Sequence, residues 1–294
     1  MIGDGVSAYF VIRNCFISGY DNGIVMTYIS SPIVVVEETI IKAGTLGISI
    51  SNALMVYLLR NSIQDSVYGI AVATAEHGVG IVNNTISEVN FGINLATITN
   101  GLILNNTINA SQWGIGMDIE ITDTQVCWNT IVEVSETGIS VDGTDSRKLM
   151  IHHNSISAGP DFGMYGITSL GLQYNQNSDV YWYDSQATEG NYWSNWPGSG
   201  TYTIVDPDNN KINEDLYPLS SPPVPTSKFP DLPTYTSTDT SGNTNTNTTG
   251  STETEDTGIG DNSITNPLPI NLILVITALF SLASLITLFI KRGH

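Results

Sequence analysis

The chain has 294 residues, with 28 acidic and nine basic side chains, and a formal net charge of −19. A field of this sign repels phosphate backbones and argues against nucleic acid as a partner. Cys15 and Cys127 are too few for a disulfide scaffold, so we expect free thiols, small and buried. The first residues, Met1 to Gly5, lack the basic and apolar regions of a signal peptide, and we expect either a truncated gene model or a missing exporting segment upstream.

A short motif recurs along the first half of the chain with a period of about 22 to 25 residues, which is typical of solenoids. It reads Asn, a small residue and Ile, followed by Gly and an apolar residue. Apolar residues alternate within each copy, as in Ile93-Asn94-Leu95, and this period of two predicts strands. The sequence therefore predicts an all-β coil of parallel strands with about eight rungs. The copies begin at Asn61, Asn84, Asn106, Asn129 and Asn154, with weaker ones at Asn14 and Thr39.

The repeat predicts two columns of identical residues along the coil, one of asparagine and one of glycine. Stacked asparagines at a tight corner can hydrogen-bond from rung to rung, so we expect Asn84, Asn106 and Asn129 to form one ladder. The glycine column marks a corner that needs either a positive φ or a close backbone approach.

The residue before each glycine is often aromatic. Strand alternation places this column in the core, because it shares the parity of the inward-facing Ile93. A stacked platform for sugar rings is the alternative. The column comprises Leu46, Tyr68, Phe91, Trp113, Thr137 and Phe162.

A closing motif follows the last rung, as Gly190-Asn191-Tyr192-Trp193-Ser194-Asn195-Trp196 and then Asp215-Leu216-Tyr217-Pro218-Leu219. This pair resembles the end of the β-helix repeat family named after the periplasmic copper-binding protein NosD. The resemblance implies a right-handed parallel β-helix of the pectin-lyase-like class over residues 1–219, but implies function only weakly. The aromatic residues of this stretch then form a cap over the last rung. They are Tyr181, Trp182, Tyr183, Tyr192, Trp193 and Trp196.

The composition changes at Ser220. Residues 220–266 are rich in Pro and then in Ser, Thr and Asn, which predicts a disordered, glycosylated stalk. Residues 270–290 carry no charge and are followed by Lys291 and Arg292, so residues 267–294 are predicted to hold a single membrane helix with a cytoplasmic C-terminus. Glycosylation acceptor patterns occur at Asn83, Asn105, Asn109 and Asn247.

Acidic residues supply the candidate chemistry. Alignment of Gly114 with Gly138 places Asp118 over Asp142, both pointing outward on neighbouring rungs. Such a pair could bind Ca²⁺, act in a glycosidase, or belong to a solvated acidic face. We found no set of acids typical of polygalacturonases.

The sequence contains two further candidate metal sites. Asp206, Asp208 and Asn210 match the first ligands of an EF-type calcium loop, although Lys211 and Tyr217 stand where Gly and Glu are required. The resemblance to NosD raises copper, but His152 and His153 are adjacent and should face opposite sides of a strand.

The sequence thus predicts a non-catalytic cell-surface module, held outside a membrane by residues 270–290, that binds extracellular polysaccharide or a partner protein or serves in the envelope. The alternative is a membrane-tethered polysaccharide lyase or glycoside hydrolase. Calcium is the one cofactor that the residues suggest.

Overall fold

A computed structural model of the chain describes residues 9–27, 33–142, 146–158, 165–168, 179–205, 211–225 and 230–234. These residues form seventeen strands and no helix. The strands are β1 (Tyr9–Arg13), β2 (Phe16–Thr27), β3 (Ile33–Glu37), β4 (Ile40–Leu59), β5 (Ser62–Val82), β6 (Thr85–Thr99), β7 (Gly101–Leu104), β8 (Thr107–Cys127), β9 (Thr130–Val134), β10 (Thr137–Asp142), β11 (Arg147–His152), β12 (Ser155–Ala158), β13 (Tyr165–Thr168), β14 (Val180–Tyr181), β15 (Tyr192–Trp193), β16 (Tyr202–Val205) and β17 (Lys211–Asp215).

The strands pair in parallel with their counterparts one repeat later, for example β4 with β5 and β6 with β8. This is a parallel β-solenoid of about six turns, fewer than the eight predicted. The predicted number of rungs included those at the end of the coil, where β14 and β15 have only two residues each. The single antiparallel pair among the described strands is β16 with β17, which closes the coil.

The core consists of stacked aliphatic columns. Ile93, Leu95 and their equivalents in other rungs are buried, which confirms the inward parity predicted within the strands. One column illustrates the pattern, because each rung contributes a fully buried isoleucine: Ile41, Ile63, Ile86, Ile108, Ile131 and Ile156.

The asparagine ladder is present as predicted. The backbone N–H and the side-chain Nδ2 of Asn84 both donate to Oδ1 of Asn106, each at 2.9 Å, and Asn106 repeats the pattern toward Asn129. Each side chain also donates to a backbone carbonyl, as Asn106 does to Ile81 at 2.8 Å. Buried polar groups need such partners, and the ladder satisfies them rung after rung.

The first weak copy of the repeat is shifted by one residue. Phe16 pairs with Ile40, and Ile17 with Ile41, so Cys15 rather than Asn14 occupies the ladder position. Asn14 instead has a positive φ, like the residues just before the later ladder asparagines. The prediction was wrong here because Asn also suits this left-handed corner.

The glycine column is explained by close packing. A Cβ atom at Gly47, Gly69 or Gly92 would lie 2.4 to 2.6 Å from the carbonyl oxygen of the glycine one rung on. No side chain tolerates that distance. Of the two reasons considered, close backbone approach is therefore the correct one.

The closing motif ends both the ladder and the core. Asp215 is fully buried and its Oδ2 accepts hydrogen bonds from Asn191 and from Trp193 Nε1. Gly190 is required beside it, because a Cβ there would lie 1.9 Å from Asp215 Oδ1. Trp182 and Trp193 are buried in the core, and Trp193 stacks on Tyr202 with 4.2 Å between ring centroids. These aromatic residues cap the last rung.

One compact unit of the chain runs from Met1 to Thr238. Within the described ranges no helix is long and apolar enough to cross a membrane. Residues 270–290 and most of the stalk lie outside the described residues.

Candidate functional site

The aromatic column lies at the surface rather than in the core. Tyr68, Phe91 and Trp113 pair in register on three successive rungs, and each is half-buried. Alternation does not place them inside because the chain turns a corner at the adjacent glycine, so the parity of Ile93 does not extend to Phe91. Leu46 and Thr137, at the two ends of the column, are buried, and Phe162 lies outside the described residues.

Trp113 is oriented differently from the two rings before it. Tyr68 and Phe91 stack with 4.8 Å between centroids and 17° between planes, so both planes cross the coil axis. Trp113 is turned by 89° from Phe91. Its plane therefore runs along the coil axis.

Two neighbours hold the indole in this position. Its Nε1 donates to Glu136 Oε2 on the next rung at 2.9 Å. A Cβ atom at Gly116 would lie 3.8 Å from Trp113 Cε3, so the ring lies beside a buried glycine of its own strand. The site is a flat aromatic surface with a carboxylate at its edge, which we call the Trp113 platform (Trp113, Gly116 and Glu136).

The predicted acid pair keeps its register. Asp118 and Asp142 are Cα partners on neighbouring rungs of β8 and β10. Asp118 is half-buried, and it is followed by Ile119, which is exposed and has a φ of 67°. A β-branched residue disfavours this conformation, so the corner after Asp118 is strained. The side chain of Asp142 lies outside the described residues, and the role of the pair stays a prediction.

The other predicted site residues are scattered. Asn83 is exposed and accepts a hydrogen bond from Asn105 Nδ2 at 2.7 Å, while Asn109 donates to Glu133 at 2.8 Å. Their glycosylation stays a prediction. The remaining candidates, Asp206, Asp208, Asn210 and Asn247, lie outside the described residues.

Sequence reasoning missed a second carboxylate pair. The side chain of Glu88 is hydrogen-bonded to Asp65 one rung earlier, and this bond and the charge of Asp65 raise the pKa of Glu88. Both residues have a positive φ at a corner. The sequence could have revealed this pair, because Asp65 and Glu88 are separated by one repeat length. Within the described ranges, however, no group of three or more His, Cys, Asp or Glu residues could hold a metal ion.

His152 and His153 are brought together, contrary to the prediction. β11 ends at His152, and His153 has a φ of 55°, which turns its ring back toward its neighbour. The two Nδ1 atoms are 2.6 Å apart, and His153 Nε2 lies 2.6 Å from Glu189 Oε2. His153 also stacks on Trp128. Burial, and then the charge of His153, lowers the pKa of His152 to about 4.

Both cysteines are free. Cys127 is buried in a small apolar cluster on the coil, and burial raises its pKa to about 12. Cys15 is exposed, so the expectation that both thiols are buried was wrong for this one.

Comparison with known families gives one match. Residues 5–198 match the family described as periplasmic copper-binding protein (NosD). The chain belongs to this family. No curated protein and no solved structure matches it. The periplasmic description of the NosD family is consistent with the extracellular side predicted for the coil.

The description of the NosD family implies copper, but the described residues do not fit it. Copper favours imidazole and sulfur ligands with open access to the ion. Here the nearest nitrogens of His152 and His153 are hydrogen-bonded to each other, and the remaining nitrogen of His153 is hydrogen-bonded to Glu189. We therefore assign no chemistry through copper to this part of the chain.

Proposed function

We propose that this NosD-family chain is a non-catalytic surface module that binds a neutral extracellular polysaccharide on the Trp113 platform. The observation that supports this function is the orientation of Trp113, whose plane lies along the coil with Glu136 at its edge. A sugar ring stacks on such a face through its C–H groups, while a carboxylate accepts hydrogen bonds from hydroxyls.

A neighbouring amide strengthens the proposal. Asn94 is half-buried next to Gly116, and its Oδ1 has no hydrogen-bond partner among the described residues. An acceptor left in this state is costly. Rotation of the amide toward a bound hydroxyl would remove that cost and so favour binding.

Charge selects the class of polymer. With a net charge of −19 on the chain and the carboxylate of Glu136 at the edge of the indole, the surface repels polyuronates. A neutral glycan has no such penalty, so we commit to neutral polymers.

The test measures, by affinity electrophoresis, the binding of the full chain in detergent to a panel of neutral glucans, mannans and galactans. Alginate and pectate are included as polyanions for comparison. Trp113→Ala should weaken binding at least tenfold, about 1.4 kcal/mol. The matched control is Trp128→Ala, at another half-buried tryptophan on the coil, which should bind as the wild type does. Equal retardation of both variants by every neutral polymer would overturn the proposal.

The register of Asp118 and Asp142 favours a second function, cleavage of a polysaccharide by this acid pair. The same polymer panel tests it. New reducing ends or unsaturated products that disappear in Asp118→Asn would establish an enzyme, whereas binding without turnover supports the non-catalytic module.

We also propose that residues 270–290 anchor the coil in a membrane with the coil outside. The uncharged span followed by Lys291 and Arg292 supports this topology. Deletion of residues 267–294 should release the protein from membranes. Sedimentation of the truncated chain with membranes after a high-salt wash would contradict the anchor.

A further inference from the structure

One contact connects the chain after the closing motif with the middle of the coil. Residues 230–234 lie against the outer side of β5, where Pro233 is buried although the residues on either side of it are exposed. The Tyr57 hydroxyl donates to the carbonyl oxygen of Pro233. Proline at this position leaves no backbone N–H without a partner.

Two glycines of β5 make room for this contact. A Cβ atom at Gly80 would lie 2.8 Å from Leu232 Cδ2, and one at Gly78 would lie 3.0 Å from Pro233 Cβ. A side chain at either place would displace the segment. At Gly80 the atom closest to the added Cβ belongs to the segment, with Tyr57 Cδ1 next at 3.0 Å. At Gly78 the carbonyl oxygen of Asn100, at 3.1 Å, is almost as close as Pro233, so Gly80 is the more specific test of the contact.

The contact is distant from the end of the coil. Leu219 N donates to Asn191 O at the last step of the ladder. Gly80 lies on the rung of Asn84, four ladder steps earlier through Asn106, Asn129 and Asn154, or ~19 Å at ~4.8 Å per step. Leu232 therefore lies back along the coil from Leu219, at a distance that the intervening residues can span at ~3.1 Å per residue.

We infer that residues 230–234 are a strap that docks in the groove formed by Tyr57, Gly78 and Gly80. The prolines that precede the strap restrict the free chain, which reduces the entropy lost on docking.

The strap can be tested in the full chain in detergent by trypsin cleavage after Lys228, which lies shortly before it. Pro233→Asp places a charge in a buried contact and should accelerate this cleavage about tenfold. Pro222→Asp is the matched control, because Pro222 is an exposed proline of the same segment, and it should leave the rate unchanged.

A variant on the other side of the contact completes the design. Gly80→Val occupies the space of Leu232 with a residue that strands favour, so it should release the strap and match the rate of Pro233→Asp. Equal cleavage rates for the wild type and all three variants would overturn the inference. Acceleration by Pro233→Asp without acceleration by Gly80→Val would also overturn it, since the groove would then not be the docking site.

Discussion

Asn191 donates two hydrogen bonds to one oxygen of Asp215, at 2.7 Å from its backbone N and 3.2 Å from its Nδ2. Each earlier asparagine donates in the same direction to the next asparagine, so the last member needs an acceptor that is not itself part of a further rung. A carboxylate supplies acceptors and no donors. The aspartate of the closing motif therefore ends the ladder.

We predict that Asp215→Ala destabilises the chain by about 3 kcal/mol, because donors from Asn191 and Trp193 are left buried without an acceptor. Urea unfolding measures the change. Asp179→Ala, at an exposed aspartate, is the control and should cost less than about 0.5 kcal/mol. Equal losses in the two variants would show that Asp215 has no special place in the cap.

Two adjacent asparagines of one rung allow a matched test of the ladder. Asn106 is buried with donors and acceptors on both neighbouring rungs, so Asn106→Ala should cost about 3 kcal/mol. Asn105 is half-buried with a φ of 52°, and among the described residues its side chain donates only to the exposed Asn83, so Asn105→Ala should cost about 1 kcal/mol. The unfolding midpoints of the two variants measure the difference. A larger loss of stability for Asn105→Ala than for Asn106→Ala would contradict the role of the ladder.

The glycine column predicts a large effect from one methyl group. Gly92→Ala would bring Cβ to 2.4 Å from Gly114 O and should cost about 3 kcal/mol or prevent folding. Gly44→Ala is the control, since its Cβ would be 3.6 Å from the nearest atom, and its stability should change by less than about 1 kcal/mol. Melting temperatures of the two proteins measure the difference, and similar values would refute the close approach.

His152 predicts a loss of stability in acid. Its pKa in the folded chain is about 4 against an ordinary 6.5, so the folded state takes up this proton less readily than the unfolded chain. The stabilisation, about 3 kcal/mol, is complete above pH 6.5 and is lost as the pH falls toward 4. In urea unfolding across this range, His152→Gln should remove part of the slope. His77→Gln, at an exposed histidine, should retain it; a wild-type slope in His152→Gln would disprove the assignment.

The register of Asp118 and Asp142 predicts a response to calcium. A divalent ion bound between Asp118 and Asp142 would raise the melting temperature, with about 2.7 kcal/mol of stabilisation at a hundredfold excess over Kd. Asp118→Asn with Asp142→Asn should abolish the rise, whereas Asp123→Asn, at an exposed acid paired with Lys148, should not. No response at millimolar calcium leaves a solvated face. A response that survives the double substitution moves the site to Asp206, Asp208 and Asn210.

The sequence predicted what depends on the repeat. Asn84, Asn106 and Asn129 could be placed in one ladder because identical residues recur at one period and the strands alternate between them. Phe91 was misplaced because the corner at Gly92 interrupts that alternation, and His153 because its positive φ is invisible in a strand pattern. The contact of Pro233 with Tyr57 depends on chain segments far apart in sequence, and composition alone carries no signal for it.

The ladder also has a consequence for how such a protein changes in length. Asn84, Asn106 and Asn129 each meet the same hydrogen-bond partners on the rung before and the rung after, so an interior rung is interchangeable with its neighbours. Duplication or loss of one repeat would lengthen or shorten the coil by ~4.8 Å and leave the cap at Asp215 intact. A gene of this kind can therefore adjust the reach of its product in equal steps without inventing a new fold.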